Sequence, residues 1–306
     1  MKSSYFSARG LCPWLMLAAL GSPTAQAADY NISTYSRPGT LNTSFWGINN
    51  SGQIAGSTYD GTAFSGFVYS SGTFTSLAGP TGSVENQALG ISDGGVVVGS
   101  YFTGPTDPEL GFIYESGSYT SFNVLGATST TLRGISPDGR YLSGTFDEAS
   151  SSLNGFLFDR TNGALVRFGA GTIVQGMNSH GVLVGSFFMG LRTPFTYDIT
   201  TGIRTDYGPE NDRYRDINDD GLIAGFRAGT ALVGRPGSFQ NLAVAGAIST
   251  FAEGINNAGW VVGGYTDATG MVDNAFIARP VPEPGSWALL LGGLAAVGVS
   301  TRRRRA

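Results

Sequence analysis

Six copies of one short motif recur along this chain at nearly even spacing, and that repetition restricts the fold more than any other feature. The copies open at Gly47, Gly90, Gly134, Gly176, Asp216 and Gly254, reading Gly-Ile-Asn-Asn-Ser-Gly in the first and Asp-Ile-Asn-Asp-Asp-Gly in the fifth. Successive starts lie 43, 44, 42, 40 and 38 residues apart. A period in this range signals a propeller, a solenoid or an array. Within each opening, Asn or Ser stands first and Gly fourth in a four-residue turn. The short polar side chain caps a type I turn and glycine takes the left-handed conformation that follows. Pro137 fits the second turn position, where φ lies near the proline value.

A short strand follows each turn, as in Val96-Val97-Val98-Gly99 and Leu222-Ile223-Ala224-Gly225, with Ser143 standing where the other copies have glycine. A second strand is built on Phe67-Val68-Tyr69, Phe112-Ile113-Tyr114 and their counterparts. A glycine turn such as Gly72 or Gly117 leads to one more, for example Phe74 to Leu77. With the strand that enters each opening, every repeat supplies four short antiparallel strands, the content of one propeller blade. No segment has a sustained helical period. The pattern predicts an all-β, six-bladed propeller over residues 28–280. The sixth repeat ends after Phe276-Ile277-Ala278 and lacks an outermost strand, whereas Ile32-Ser33-Thr34-Tyr35 near the other end matches one. Tyr35 stands 13 residues before Ile48, as Phe122 stands 13 before Ile135. An N-terminal strand that completes the last blade would close the ring and remove its free edge. An open β-solenoid is the alternative, and it would not need this exchange of strands.

The pattern Gly-Ile-Asn-Asn-x-Gly-x-Val-Val-Gly followed by a Phe-x-Tyr strand resembles the HAF-type extracellular repeats of bacterial exported proteins, over roughly Tyr30 to Arg279. The resemblance implies export and surface assembly, and it implies no catalytic residues.

Both ends of the chain fit export. Lys2 and Arg9 precede an apolar stretch from Leu11 to Leu20, and Ala25-Gln26-Ala27 forms a small-x-small site, so residues 1–27 read as a signal peptide cleaved after Ala27. Cys12, the only cysteine, lies inside it, leaving the mature chain without thiol or disulfide chemistry. Residues 281–306 carry Pro282-Glu283-Pro284, an apolar run from Trp287 to Val299, and Arg302, Arg303, Arg304 and Arg305 as a stop-transfer signal. This tail resembles the PEP-CTERM sorting signal of Gram-negative bacteria, which implies recognition and processing by an exosortase. The expectation is a single transmembrane sorting helix, a transient inner-membrane anchor, and then a place at the cell surface or outside it. The run is short for that purpose: Trp287 to Thr301 spans 15 residues and includes Gly292, Gly293 and Gly298, against the roughly 20 apolar residues that usually span a bilayer.

Charge narrows the partners. Setting aside Lys2, Arg9 and the four terminal arginines leaves 12 of the 18 basic residues, and setting aside Glu283 leaves 21 of the 22 acidic ones. The body is therefore near −9, with no lysine, which argues against nucleic acid or anionic lipid as a partner. Glycine, at 47 of 306 residues, is roughly twice its usual share of about 7%. It lacks the strict period of collagen, and a mean hydropathy of +0.03 suits a chain that buries a core.

Candidate chemistry is sparse. His180, the only histidine, sits at the third position of the fourth turn and reads as an exposed turn residue. Asp93, Asp138, Asp219 and Asp220 offer oxygen ligands, but none shows the spaced pattern of a calcium loop. No cofactor is expected. Glu85, Glu109, Glu115 and Glu253 are scattered, with no spacing that pairs any two for glycoside hydrolysis. Trp46 and Trp260 are sugar-stacking candidates that read as strand framework. The main expectation is thus a non-enzymatic surface or matrix module associated with exopolysaccharide, with no catalytic residue. The alternative is a propeller enzyme acting on extracellular glycans at the central opening. Repeat-to-repeat differences lie mainly in loop length, which argues against it. Two or more acids with an arginine at one opening would argue for it.

Overall fold

The computed structural model describes residues 29–208, 211–270 and 273–281. Their strands form six four-stranded antiparallel sheets, each a blade whose innermost strand enters a repeat opening. These innermost strands are Asn42–Ile48, Glu85–Ile91, Ser129–Ile135, Thr172–Met177, Arg213–Ile217 and Ser249–Ile255, in blades 1 to 6. The chain is the expected six-bladed propeller. Tyr30–Tyr35 pairs antiparallel with Asp273–Pro280, placing Ile32 opposite Ala278 and Thr34 opposite Phe276. That strand is the outermost of blade 6, as the strand count requires, so the ring closes by joining the two ends of the chain.

Packing explains the repeat's glycine and phenylalanine together. Phe67, Phe112, Phe156, Phe195 and Phe276 are fully buried on the third strands. Each lies opposite a second-strand glycine, and a Cβ on Gly56 would sit 2.4 Å from the ring of Phe67. Blade 3 keeps the same arrangement: Gly144, not Ser143, lies opposite Phe156. Its turn is one residue longer, with Ser136 N–H bonding Tyr141 O where Ser92 N–H bonds Val96 O. The apparent loss of glycine at Ser143 is therefore an insertion.

The turns behave as type I turns and also fasten the blades. In blade 1, Asn49 Oδ1 accepts the N–H groups of Ser51 and Gln53 at 3.1 and 2.9 Å, and Gly52 has φ +77°. The amide of the same asparagine donates to Ser92 O in blade 2 at 2.9 Å. Asn178 reaches Asn218 O, Asn218 reaches Asn256 O, and Asn256 reaches Asn49 O, each at 3.1 Å. The last bond crosses the seam between blades 6 and 1.

One expectation is corrected. No helix long and apolar enough to cross a membrane occurs among the described residues, so the transmembrane sorting helix and the inner-membrane anchor are not part of this structure. The apolar run is short of a span and carries three glycines that weaken a helix. That run and the sorting residues, like the signal peptide with Ala25 and Ala27, lie outside the described residues.

Candidate functional site

Each innermost strand breaks register just before its Gly-Ile. The irregularity falls at Trp46, Leu89, Arg133, Arg215 and Glu253, and over Gln175 and Gly176 in blade 4. A bulged residue leaves the ladder and re-aims its side chain. Here all six of these side-chain positions line one axial cavity of about 340 Å³. The glycine that follows lets the strands converge: a Cβ on Gly47 would stand 3.0 Å from Leu89 O, and one on Gly254 3.0 Å from Trp46 O. Blade 5 alone has Asp216 at this level. Its carboxyl accepts the N–H groups of Ile217 at 2.9 Å and of Ile255 in blade 6 at 3.0 Å. Enclosure by protein raises its pKa to about 7, against the pull of those two N–H groups.

The ring therefore mixes five residue types, with arginine twice, and its charges are concentrated. Glu253 Oε2 lies 3.0 Å from Arg215 Nε, with side-chain exposures of 9% and 19%. That N–H is not aimed at the carboxylate and has no hydrogen-bond partner. Burial raises the pKa of Glu253, while Arg215, Arg133 and Arg213 oppose the shift. Burial likewise lowers Arg133 to about 10, helped by repulsion from Arg215 and opposed by Glu109 and Glu253. Glu109 arrives from the loop before the third strand of blade 2, and its Oε2 accepts the Thr131 hydroxyl at 2.7 Å. Arg192 is lowered by burial and by Arg213 and Arg215. Glu109, Asp216 and Glu253 thus line the cavity with Arg133 and Arg215, and Arg192 and Arg213 act on this cluster through space.

Of the four glutamates, the fold brings Glu109 and Glu253 into this cavity. Glu115 pairs with Arg160 at 2.6 Å and is half exposed. Glu85 accepts the N–H of Phe64 at 3.2 Å. Trp46 is not framework: it lines the cavity, its Nε1 donating to Ser57 Oγ at 2.9 Å. Trp260 packs beneath Arg279, whose guanidinium carbon lies 4.3 Å from its ring centre. His180 is exposed at its turn tip. The turn aspartates are engaged in turn contacts: Asp93 accepts from the backbone and amide of Asn50, Asp219 from Ser179 and Asn257, and Asp138 from Ser136 and Arg140. Among the described residues no group of three His, Cys, Asp or Glu is placed to hold a metal.

The PEP-CTERM protein-sorting motif matches residues 280–305, so the sorting signal is present, and it implies exosortase-mediated processing. No curated protein matches the chain in sequence. Similar solved structures include TolB from Acinetobacter baumannii, at 12% identity and TM-score 0.45, covering 80% of this chain and 65% of that one. A prolyl endopeptidase matches at 14% and 0.49, covering 81% and 44%. The propeller domain of the Trilobed protease from Pyrococcus furiosus matches at 10% and 0.46, covering 80% and 97%. The chain spans less than two thirds of the first two. These are likenesses of fold alone.

The axial cluster overturns the expectation of a non-enzymatic matrix module without residues for chemistry. Two acids with arginines stand at the central opening, the arrangement that distinguishes the enzyme reading. The signal lay in one column of the repeat, the residue before each Gly-Ile: Trp46, Leu89, Arg133, Gln175, Arg215 and Glu253. Loop lengths drew attention away from it.

Proposed function

We propose that this is an exported propeller enzyme that acts on an extracellular glycan held in the axial cavity. The observation that carries this reading is the single tier holding Trp46, Arg133, Arg215 and Glu253, with Glu109 beside it. An indole face suits the apolar face of a sugar ring. Glu253, whose carboxyl burial favours in its protonated form, is placed as proton donor to a glycosidic oxygen. Glu109 supplies the second carboxylate that glycoside hydrolysis requires. The HAF-like repeats and the sorting tail support an extracellular site of action. Pro282, Glu283 and Pro284 serve as the recognition element for the exosortase, and exopolysaccharide is the polymer at hand.

The purified exported protein should release new reducing ends from at least one bacterial or plant polysaccharide. Glu253→Gln should lower that rate by about 10²-fold or more, the usual contribution of a general acid. The wild-type rate should fall as pH rises through the raised pKa of Glu253. A protein inert toward a broad polysaccharide panel, or an undiminished rate in Glu253→Gln, would sink the reading.

A further inference from the structure

We infer that the cavity recognises an acidic sugar, a uronate residue whose carboxylate is gripped by Arg133 and Arg215. This deepens the glycan reading above and rests on it for the sugar, while the charge follows from the cavity itself. The body of the protein is near −9, yet two of its 12 arginines, Arg133 and Arg215, line the axial cavity. Arg140, Arg160, Arg167, Arg204 and Arg227 are each spent on a carboxylate away from the axis. Among the described residues, no carboxylate lies in ion-pair contact with Arg133, Arg192 or Arg213. Arg133 has Thr145 Oγ1 at 3.3 Å and Arg192 has Ser186 Oγ at 3.0 Å, both neutral partners. Arg213 lies over the Phe226 ring at 5.3 Å, and Arg215 lies over the same ring at 5.1 Å.

The two guanidinium groups that line the cavity have few protein acceptors: Arg133 has the Thr145 hydroxyl and Arg215 lies beside Glu253. Burial first, and then repulsion from neighbouring arginines, lowers the pKa of Arg133 and of Arg192, and Arg215 keeps a buried Nε–H with no hydrogen-bond acceptor. A planar carboxylate accepts paired N–H bonds from guanidinium groups and relieves both conditions at once. Gln87, Gln175 and Thr131 surround it with donors and acceptors suited to hydroxyls, and Trp46 offers the apolar face. The acidic exterior repels a long polyanion. A cavity of about 340 Å³ accordingly admits the end of an acidic chain, not its length.

Calorimetric titration of the full exported protein tests this with oligogalacturonate, oligomannuronate and oligoglucuronate, each beside its methyl ester, and with cellohexaose. At least one free acid should bind, and its ester, equal in shape but uncharged, should bind about tenfold or more weakly. Arg133→Gln and Arg215→Gln should each weaken the acid by a similar factor. Esters or cellohexaose binding as tightly as the acids, or no free acid binding, would overturn the inference, and this comparison on the wild-type protein needs no variant to fold. If acids bind in the expected order and no glycan is processed, the enzyme reading fails and the acidic specificity stands. Neutral glycans processed while acids are ignored would give the converse.

Discussion

Five of the six repeat openings begin with glycine, and the remaining one begins with Asp216, bonded to the backbones of blades 5 and 6. Its raised pKa has a consequence for stability. Below about pH 4 the group is protonated in both folded and unfolded chains. As pH rises, the unfolded chain loses this proton first, so the folded state binds more protons and stability declines. The decline should run from about 4 to about 7, the native value, and then level off. Asp216→Asn removes this titration. The urea unfolding free energy of wild type, and with it the midpoint, should therefore fall against that of the variant across that window, by about a few kcal/mol at most. Parallel midpoints would show that Asp216 is already ionised in the folded protein. The sequence displayed this residue openly, as the one opening without glycine. What it could not display was the enclosure, which depends on Gly176 of blade 4 leaving room for the carboxyl.

The turn elements were legible because their logic is local: an asparagine oxygen caps N–H groups two and four residues ahead. Their second role was not, since Asn256 and Asn49 meet across 207 residues of chain. Blades 2 and 3 separate the two roles, because Ser92 and Ser136 still cap their turns through Oγ but are too short to reach the next blade. Asn256→Ser should therefore preserve the turn and delete only the bond across the closing seam. The expected loss is about 1 kcal/mol, the net worth of one hydrogen bond, read as a lower urea midpoint with an unchanged slope. The same change at Asn178, within the ring, should cost a similar amount. A negligible loss at both would mean that the belt is ornamental to stability. The axial residues escaped the sequence for a related reason. A one-residue bulge reverses the face on which the next side chain lies, so alternation placed Trp46 in the framework when the fold turns it to the axis.

At the scale of the molecule, the sorting signal begins where the propeller ends. The strand of blade 6 stops at Pro280, and the N–H of Val281 bonds Asp29 O at 2.7 Å, so both ends of the ring leave it at one edge. Pro282 bars a further ladder bond from its own nitrogen and restricts Val281 to extended conformations. Processing at Pro282-Glu283-Pro284 would thus leave every strand of the described blades in the chain. In a host that carries an exosortase, the exported wild-type protein should end near residue 282 by intact mass. Replacement of Pro282, Glu283 and Pro284 by alanine should leave a chain that retains Arg302 to Arg305. The two forms should unfold at the same temperature, because the closing strand Tyr30–Tyr35 and its partner are present in both. Wild-type protein that still carries its terminal arginines would defeat the sorting role of the motif. A lower unfolding temperature for the processed form would instead mean that the tail packs against the ring.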